Sequence, residues 1–272
     1  MTGVNEQIID SQEKISPWRL PPSGLTLVPD QVHLWRVWLE VSAADRTRLG
    51  QFLSGSELER AARFHFARDR ERYIAGRGAL RVILAGYLHI RPEQVEFGYG
   101  PYKKPALASG PDNFEFNISH SYTLMLVAVS MRRMVGVDLE RVRPLDDFER
   151  LAQSIFSARE NEALAAVPKP HRLQSFFACW TRKEAFIKAV GQGLYYPLDQ
   201  FDVSLKPDEP AALLRVKNNP QASTGWSMQT LTPAPGYVGA LVVECGPCEL
   251  KFWQYQKTQV SNAQSGKHKQ TF

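Results

Sequence analysis

Cysteine is scarce in this sequence, and long apolar runs are absent. The chain has 272 residues and 3 cysteines, an odd and small number that argues against a secreted disulfide framework and favours a reducing cytoplasm. The longest uninterrupted apolar run covers only residues 124–129, whereas a bilayer span needs about 20 residues. Residues 1–30 also lack the cationic stretch and apolar run of a signal peptide. Integral membrane proteins, collagen-like chains and disulfide scaffolds are therefore excluded.

The excess of positive charge is small. Lys plus Arg is 33 and Asp plus Glu is 28, which gives a net charge of +5. This balance favours an anionic ligand or partner but does not require nucleic acid. The hydrophobic fraction of 43% is typical of a globular protein, and a chain of this length can bury a core without covalent staples.

Two cysteines, Cys245 and Cys248, have the C-x-x-C spacing of a thioredoxin-type redox motif. Such a motif opens a helix in a βαβ unit. Here the flanking residues 238–244 and 249–255 both resemble strands. We therefore interpret the two residues between the cysteines as a hairpin turn, with redox catalysis as the less favoured alternative.

The order of the predicted elements indicates the α+β class. A strand and helices are followed by strands, and then by helices and strands again, in two parts of similar size. Residues 77–88 faintly resemble residues 182–194, which suggests an internal duplication. We predict an N-terminal arm at 1–30, α+β halves at 31–133 and 134–257, and a disordered tail at 258–272.

The segment from Val135 to Glu140 reads Val-Gly-Val-Asp-Leu-Glu. In a strand its apolar residues point into a core, while Gly136, Asp138 and Glu140 share the other face. Two carboxylates about 7 Å apart repel each other unless a cation lies between them, and Mg²⁺ prefers such oxygen ligands. Gly136 is expected to leave room beside them. The alternative is a solvated strand face.

A second segment, residues 176–191, has the pattern of a helix that is apolar nearly all round and ends at Gly191. Glu184 and Lys188 lie on one stripe of this helix, together with Thr181. An ordinary i,i+4 ion pair on a wet face is one interpretation. Among so many apolar neighbours, however, these charges would be partly desolvated, which is typical of paired, metal-bound or functional groups.

Two further groups of polar residues suit a phosphate ligand. Ser119 and His120 precede an apolar strand; as neighbours on a strand they face opposite ways, so they do not form a nucleophile–base pair. Basic side chains lie upstream, including Arg60 and Lys104, and Pro105 favours an extended backbone at Lys104. A structural histidine and a solvated basic face are the alternatives.

Taken in order, these segments resemble the 4′-phosphopantetheinyl transferases of the long, single-chain Sfp type. The resemblance runs from about Glu57 to Val203, and it departs from the common Gly-Lys-Pro at Lys103. It implies two α+β halves related by a pseudo-twofold axis, with the site in the cleft between them. The matching segments are Lys104-Pro105, Phe116 to His120, Val135 to Glu140, Trp180 to Ala189 and Gly191 to Leu194.

The resemblance implies an enzyme that moves the phosphopantetheine arm of coenzyme A to a serine of an apo acyl or peptidyl carrier protein and releases adenosine 3′,5′-bisphosphate. It implies that Asp138, Glu140 and Glu184 hold Mg²⁺. Glu184 would also deprotonate the serine, and Lys188 would offset charge on the departing phosphate. The residues implied in coenzyme A binding are Arg60, Lys104, Ser119, His120, Asp138, Lys183 and Lys188.

Two other functions compete with this reading. A non-catalytic relative could hold coenzyme A or a carrier protein without turnover, although the acidic trio and Lys188 argue against such decay. An RNA-binding protein would explain the arginines of residues 57–81, but no recognised RNA-binding motif is present. We expect a cytoplasmic monomer that binds neither nucleic acid nor membrane. Fatty-acid, polyketide and non-ribosomal peptide carriers all stay open as substrates.

Overall fold

The computed structural model of the protein describes residues 18–256, except 101, 103, 192–195, 218 and 245–247. None of the helices in this described part has both the length and the apolarity of a membrane span. The elements are β1 (Gln31–Trp38), α1 (Ala43–Gly50), α2 (Gly55–Ala62), α3 (Ala67–Leu88), β2 (Phe97–Tyr99), β3 (Pro105–Leu107), β4 (Phe114–Ser121), β5 (Leu124–Met131), β6 (Val135–Arg141), α4 (Phe148–Ile155), α5 (Ala158–Ala166), α6 (Lys169–Val190), β7 (Phe201–Val203), β8 (Leu213–Val216), β9 (Trp226–Leu231), β10 (Tyr237–Glu244) and β11 (Glu249–Gln254).

The main elements stack in four layers. Helix α3 covers a sheet of order β11-β1-β5-β4, this sheet packs on a second sheet of order β6-β10-β9, and helix α6 covers the far side. Strand β5 is apolar throughout because both of its faces are covered: Met125, Val127 and Val129 pack toward α3, and the residues between them pack toward the second sheet. The predicted α+β class is confirmed.

The two long helices occupy corresponding places on the two sheets. Both α3 and α6 have 22 residues, and each is followed by a residue in the left-handed region, His89 and Gly191 respectively. The predicted pseudo-twofold relation and the boundary between residues 133 and 134 stay predictions. Strand β6 behaves as its alternation predicts, because Val135, Val137 and Leu139 are fully buried between the sheets.

The last strand departs from the predicted hairpin. Strand β11 pairs in parallel with β1 in the first sheet, whereas β10 pairs with β6 and β9 in the second. The two strands that flank the C-x-x-C segment therefore lie in different sheets, and the hairpin prediction is wrong. Residues 245–247 lie outside the described residues. Burial raises the pKa of the Cys248 thiol, which is the opposite of what a reactive redox cysteine needs.

The chain termini fall partly outside the described residues. Of the predicted arm at 1–30, residues 18–30 are described: Trp18 contacts Phe252 edge to face, and Arg19 forms a β-bridge with Trp253. The beginning of the described arm, Trp18 and Arg19, therefore lies against β11. The predicted disordered tail at 258–272 is outside the described residues. Helix α1, which Ser42 caps, was not predicted from the sequence.

Candidate active site

A cluster of charged side chains lies where β6 meets helix α6. Asp138 is 4% exposed, and one of its oxygens, Oδ1, accepts hydrogen bonds from Lys188 Nζ at 2.6 Å and from Ser119 Oγ at 2.7 Å. Lys188 therefore pairs with Asp138, not with Glu184 as a simple i,i+4 pair would require. Glu140 is the next residue on the same strand face and accepts from Ser121 Oγ at 2.7 Å. The structure thus brings together Asp138, Lys188, Ser119 and Glu140, four of the residues that the sequence grouped as a metal and phosphate site.

Gly136 sets the distance between β6 and α6. A Cβ atom at this position would lie 2.1 Å from the Ala185 carbonyl oxygen and 2.4 Å from the Ala189 nitrogen. The prediction that Gly136 leaves room beside the carboxylates is wrong, because the helix backbone fills that space. The glycine is needed for close approach, which brings Glu184 and Lys188 of α6 to Asp138.

We expect Gly136→Ala to separate the strand from the helix. Overpacking of a buried site costs about 1–3 kcal/mol and occasionally more, and the contact with rigid helix backbone places this variant at the upper end. Chemical denaturation should show this loss, and transfer activity should fall with it. The control is Gly86→Ala, where a Cβ meets nothing within 4 Å. Equal stability of the two variants would contradict the close-packing argument.

Burial and mutual repulsion perturb the carboxylates. The pKa of Glu184 rises from 4.5 to about 7, chiefly through burial and then through the negative charge of Asp138. Burial also raises the pKa of Glu140, although the hydrogen bond from Ser121 opposes the rise. The folded protein therefore holds like charges close together with incomplete compensation, which is typical of a site that receives a cation.

The raised pKa of Glu184 predicts a pH dependence of stability. The folded state binds the proton of Glu184 more tightly than the unfolded state does. This binding therefore stabilises the folded state fully below a pH of about 4.5, and the stabilisation is lost as the pH rises through about 7. In the presence of EDTA, the free energy of unfolding should fall over this range. In Glu184→Gln the fall should be smaller. If the free energy of unfolding fell by the same amount in the two proteins over this pH range, the raised pKa of Glu184 would be contradicted.

The donor set fits a hard cation that takes part of its ligands from elsewhere. Asp138 Oδ2 and Glu184 Oε1 are buried and have no hydrogen-bond partner among the described residues. Within that same part of the chain, no three His, Cys, Asp or Glu side chains are already arranged as a metal site. Mg²⁺ commonly uses one or two carboxylates and completes its shell with phosphate oxygens and water. The two carboxylate oxygens without a partner among the described residues are compatible with this mode of coordination.

A ladder of side chains joins the two sheets at this site. Three polar residues at alternate positions of β4 accept hydrogen bonds from alternate backbone N–H groups of β6, an edge strand of the second sheet. The pairs are Asn117 Oδ1 with Val137 N at 2.9 Å, Ser119 Oγ with Leu139 N at 3.3 Å, and Ser121 Oγ with Arg141 N at 3.1 Å.

Sequence reasoning missed Asn117 and Ser121, although a signal was present. Polar residues at i, i+2 and i+4 of one strand face the period-two run of Gly136, Asp138 and Glu140 on another. The ladder also changes the interpretation of Ser119, because a hydroxyl has one proton and this one is donated to Asp138. Ser119 therefore holds a carboxylate here and does not present a free donor to a phosphate.

Lys104, one of the predicted phosphate-binding residues, lies beside the cluster. Lys104 is half-buried, 3.8 Å from Glu115, and burial lowers its pKa. It lines a cavity of about 170 Å³ together with Lys188, Tyr102, Phe116 and others, between β3, β4 and the end of α6. A larger groove of about 640 Å³ lies against α3, and no predicted site residue lines it. The smaller cavity is thus the one connected with the charged cluster.

His120 and Arg60 lie at the outer side of the site. As predicted, His120 and Ser119 differ in environment, because Ser119 is buried and His120 is exposed. Although His120 is exposed, the surrounding protein desolvates its ring and lowers its pKa, an effect strengthened by the charge of Lys188 and, more weakly, of Arg60. Arg60 is itself exposed and lies over the ring of Tyr73, 5.5 Å from the ring centre.

Lys183 is not available to coenzyme A, so this predicted role is wrong. Its side chain is 0% exposed and pairs with Glu160 at 2.8 Å. Its ammonium group also donates to the backbone carbonyls of Leu198 and Phe201. The residue next to it on α6, Glu184, faces β6, whereas Lys183 faces α5 and β7. Lys183 is a buried structural cation.

Comparison with known proteins agrees with this geometry. A family profile described as 4′-phosphopantetheinyl transferase superfamily matches residues 134–242, and one described as 4′-phosphopantetheinyl transferase, N-terminal, matches residues 38–132. The chain is 41% identical over 240 residues to the 4′-phosphopantetheinyl transferase HetI of Nostoc sp., covering 88% of this chain and 98% of that protein. The chain belongs to the 4′-phosphopantetheinyl transferase superfamily. The resemblance found in the sequence motifs is confirmed.

Other 4′-phosphopantetheinyl transferases match a smaller part of the chain. One from Bacillus subtilis is 34% identical over 170 residues, which are 62% of this chain and 73% of that protein. The transferase Sfp of Bacillus subtilis strain 168 is 29% identical over 197 residues, which are 72% of this chain and 84% of Sfp. The protein is therefore an enzyme that transfers the 4′-phosphopantetheinyl group.

Proposed function

We propose that this 4′-phosphopantetheinyl transferase takes the phosphopantetheine arm from coenzyme A and attaches it to a serine of an apo acyl or peptidyl carrier protein. The observation that carries the proposal is the cluster of Asp138, Glu184 and Lys188, in which two buried carboxylate oxygens have no partner among the described residues. The cluster adjoins a cavity lined by two lysines, a setting suited to the pyrophosphate of coenzyme A. The proposal includes a cytoplasmic location and a monomeric state.

Glu184 is the proposed general base. A general base must be free to accept the proton, and the half-buried carboxylate of Glu184 has an oxygen, Oε1, without a hydrogen-bond partner among the described residues. It removes the proton from the carrier serine, whose oxygen forms a bond to the β-phosphorus of coenzyme A. The bond from that phosphorus to the bridging oxygen breaks, and adenosine 3′,5′-bisphosphate leaves with the electron pair. Lys188 stabilises the charge that develops on the departing phosphate.

The remaining side chains hold the substrate and the metal. Asp138, Glu140 and Glu184 would hold Mg²⁺, which when bound supplies positive charge that polarises the pyrophosphate and stabilises the leaving group. Lys104, His120 and Arg60 are proposed to bind the phosphates of coenzyme A. A phosphate near His120 would raise the pKa of the imidazole, which is lowered in the free protein, and so favour its charged form.

The metal part of the proposal is tested by replacing Asp138. In Asp138→Ala we expect release of adenosine 3′,5′-bisphosphate to need a much higher Mg²⁺ concentration. The substitution removes a proposed ligand whose buried Oδ2 has no hydrogen-bond partner in the described part of the chain. The matched control is Asp202→Ala, which removes a buried aspartate paired with Arg215 away from the cluster. An unchanged Mg²⁺ titration in Asp138→Ala would remove this residue from the metal site.

A further inference from the structure

Ser121 makes two hydrogen bonds that together fix a carboxylate of the site. Its hydroxyl oxygen accepts from the Arg141 backbone N–H at 3.1 Å, and its single proton is donated to Glu140 Oε2 at 2.7 Å. A serine hydroxyl normally rotates freely. Here the backbone donor occupies a lone pair, so that the proton is directed toward Glu140 and the carboxylate is held in one orientation.

Within the described part of the chain, the orientation of the Glu140 carboxylate depends on a single hydrogen bond, whereas that of Asp138 depends on two. Asp138 is held by both Ser119 and Lys188. Among the described residues, only the hydroxyl of Ser121 donates a hydrogen bond to the carboxylate of Glu140. Loss of this hydroxyl would therefore leave Glu140 free to change rotamer.

The position of Ser121 is itself fixed from the following turn. Tyr122 adopts φ +55°, which is uncommon for a residue other than glycine, and its ring lies under the guanidinium groups of Arg72 and Arg141 at 4.6 and 4.1 Å from the ring centre. Thr123 is linked to the Tyr237 hydroxyl by its backbone N–H at 3.3 Å and by its side chain at 3.0 Å. The turn is therefore tied to β6 through Arg141 and to β10 through Tyr237.

We propose that Ser121 is a positioning residue that orients Glu140 for metal binding, and that no direct contact with substrate is required of it. The inference rests on the proposed function, in which Glu140 is a metal ligand. Residues that orient a metal ligand contribute to metal affinity although they do not touch the metal, and their loss typically weakens binding about 10–100-fold. Ser121 is thus a second residue of β4, beside Ser119, through which the first sheet holds a carboxylate of the proposed metal site.

The test measures Mn²⁺ binding by electron paramagnetic resonance, with the full chain, inorganic pyrophosphate and no carrier protein. Ser121→Ala is expected to bind Mn²⁺ about 10–100-fold more weakly than the wild type does. Ser121→Thr keeps the hydroxyl and should bind Mn²⁺ with an affinity near that of the wild type. The control Ser130→Ala removes a buried hydroxyl that donates to the Arg133 carbonyl, away from the carboxylates, and should bind Mn²⁺ like the wild type.

Thermal unfolding in EDTA identifies variants that have lost their fold, and the comparison of Ser121→Ala with Ser121→Thr then uses folded protein only. Wild-type affinity in Ser121→Ala would overturn the inference and leave the proposed function intact. Equal weakening in Ser121→Ala and Ser121→Thr would also overturn it, because the hydroxyl would then not be the cause. Failure of the wild type to bind Mn²⁺ with pyrophosphate would instead overturn the proposed metal site, and the inference with it.

Discussion

Glu184→Gln is expected to reduce phosphopantetheinyl transfer by at least about 10²–10⁴-fold, the usual contribution of a general base. Glutamine keeps the size of the side chain but cannot accept the serine proton, and it is a poorer metal ligand than a carboxylate. Glu184 is half-buried on α6, and its Oε1 has no hydrogen-bond partner among the described residues, so that the substitution acts directly on proton transfer and on metal binding. Steady-state rates at saturating coenzyme A and Mg²⁺, compared with the wild type, measure the effect.

The fold of this variant should be intact. Removal of one negative charge beside Asp138 and Glu140 relieves repulsion that burial strengthens, so the variant in EDTA near neutral pH should be at least as stable as the wild type. Glu162→Gln on the exposed side of α5 is the matched control and should keep full activity. Turnover of Glu184→Gln at the wild-type rate would remove Glu184 from the role of base.

Lys183→Met is expected to destabilise the protein by about 3–5 kcal/mol, the cost of breaking a buried ion pair by removing one partner. Methionine fills the space but leaves the Glu160 carboxylate without its cation and the carbonyls of Leu198 and Phe201 without a donor. Such a loss is a large part of the 5–15 kcal/mol typical of a whole domain. Denaturant unfolding monitored by tryptophan fluorescence measures it.

The same variant separates a structural role from a coenzyme A-binding role. If Lys183 bound coenzyme A, Lys183→Met would be as stable as the wild type and would show a raised KM for coenzyme A, and this result would contradict the burial argument. The double variant Lys183→Met with Glu160→Gln removes both charges. Its loss of stability should be smaller than the sum of the two single losses, because residues in one ion pair are coupled.

Local alternation predicted the parts of the site that lie on single elements. The period of two in residues 135–140 placed Val137 in the core and Asp138 on the opposite face, and the structure confirms both. Helical spacing placed Glu184 and Lys188 on one stripe, and both face β6. Such patterns are local because each element must cover one of its faces with apolar side chains.

The incorrect predictions concern contacts between distant segments. The pairing of β11 with β1 joins residues 218 positions apart, for example Gln31 with Glu249, and no local pattern distinguishes it from a hairpin with β10. Similarly, the sequence shows that position 136 is a glycine without a side chain, but it does not show that α6 fills the space beside it. The predicted role of Lys183 rests on the resemblance alone, whereas its burial follows from the way α6 packs against α5 and β7.

The most direct measurement is the mass of an apo carrier protein after incubation with the purified enzyme, coenzyme A and Mg²⁺. Several acyl and peptidyl carriers should be tried, each with an EDTA control. The account predicts that the carrier gains the mass of one phosphopantetheine arm and that EDTA prevents the gain. If the protein bound coenzyme A but none of the carriers tried gained mass, the account would be contradicted and a non-catalytic binder would be favoured.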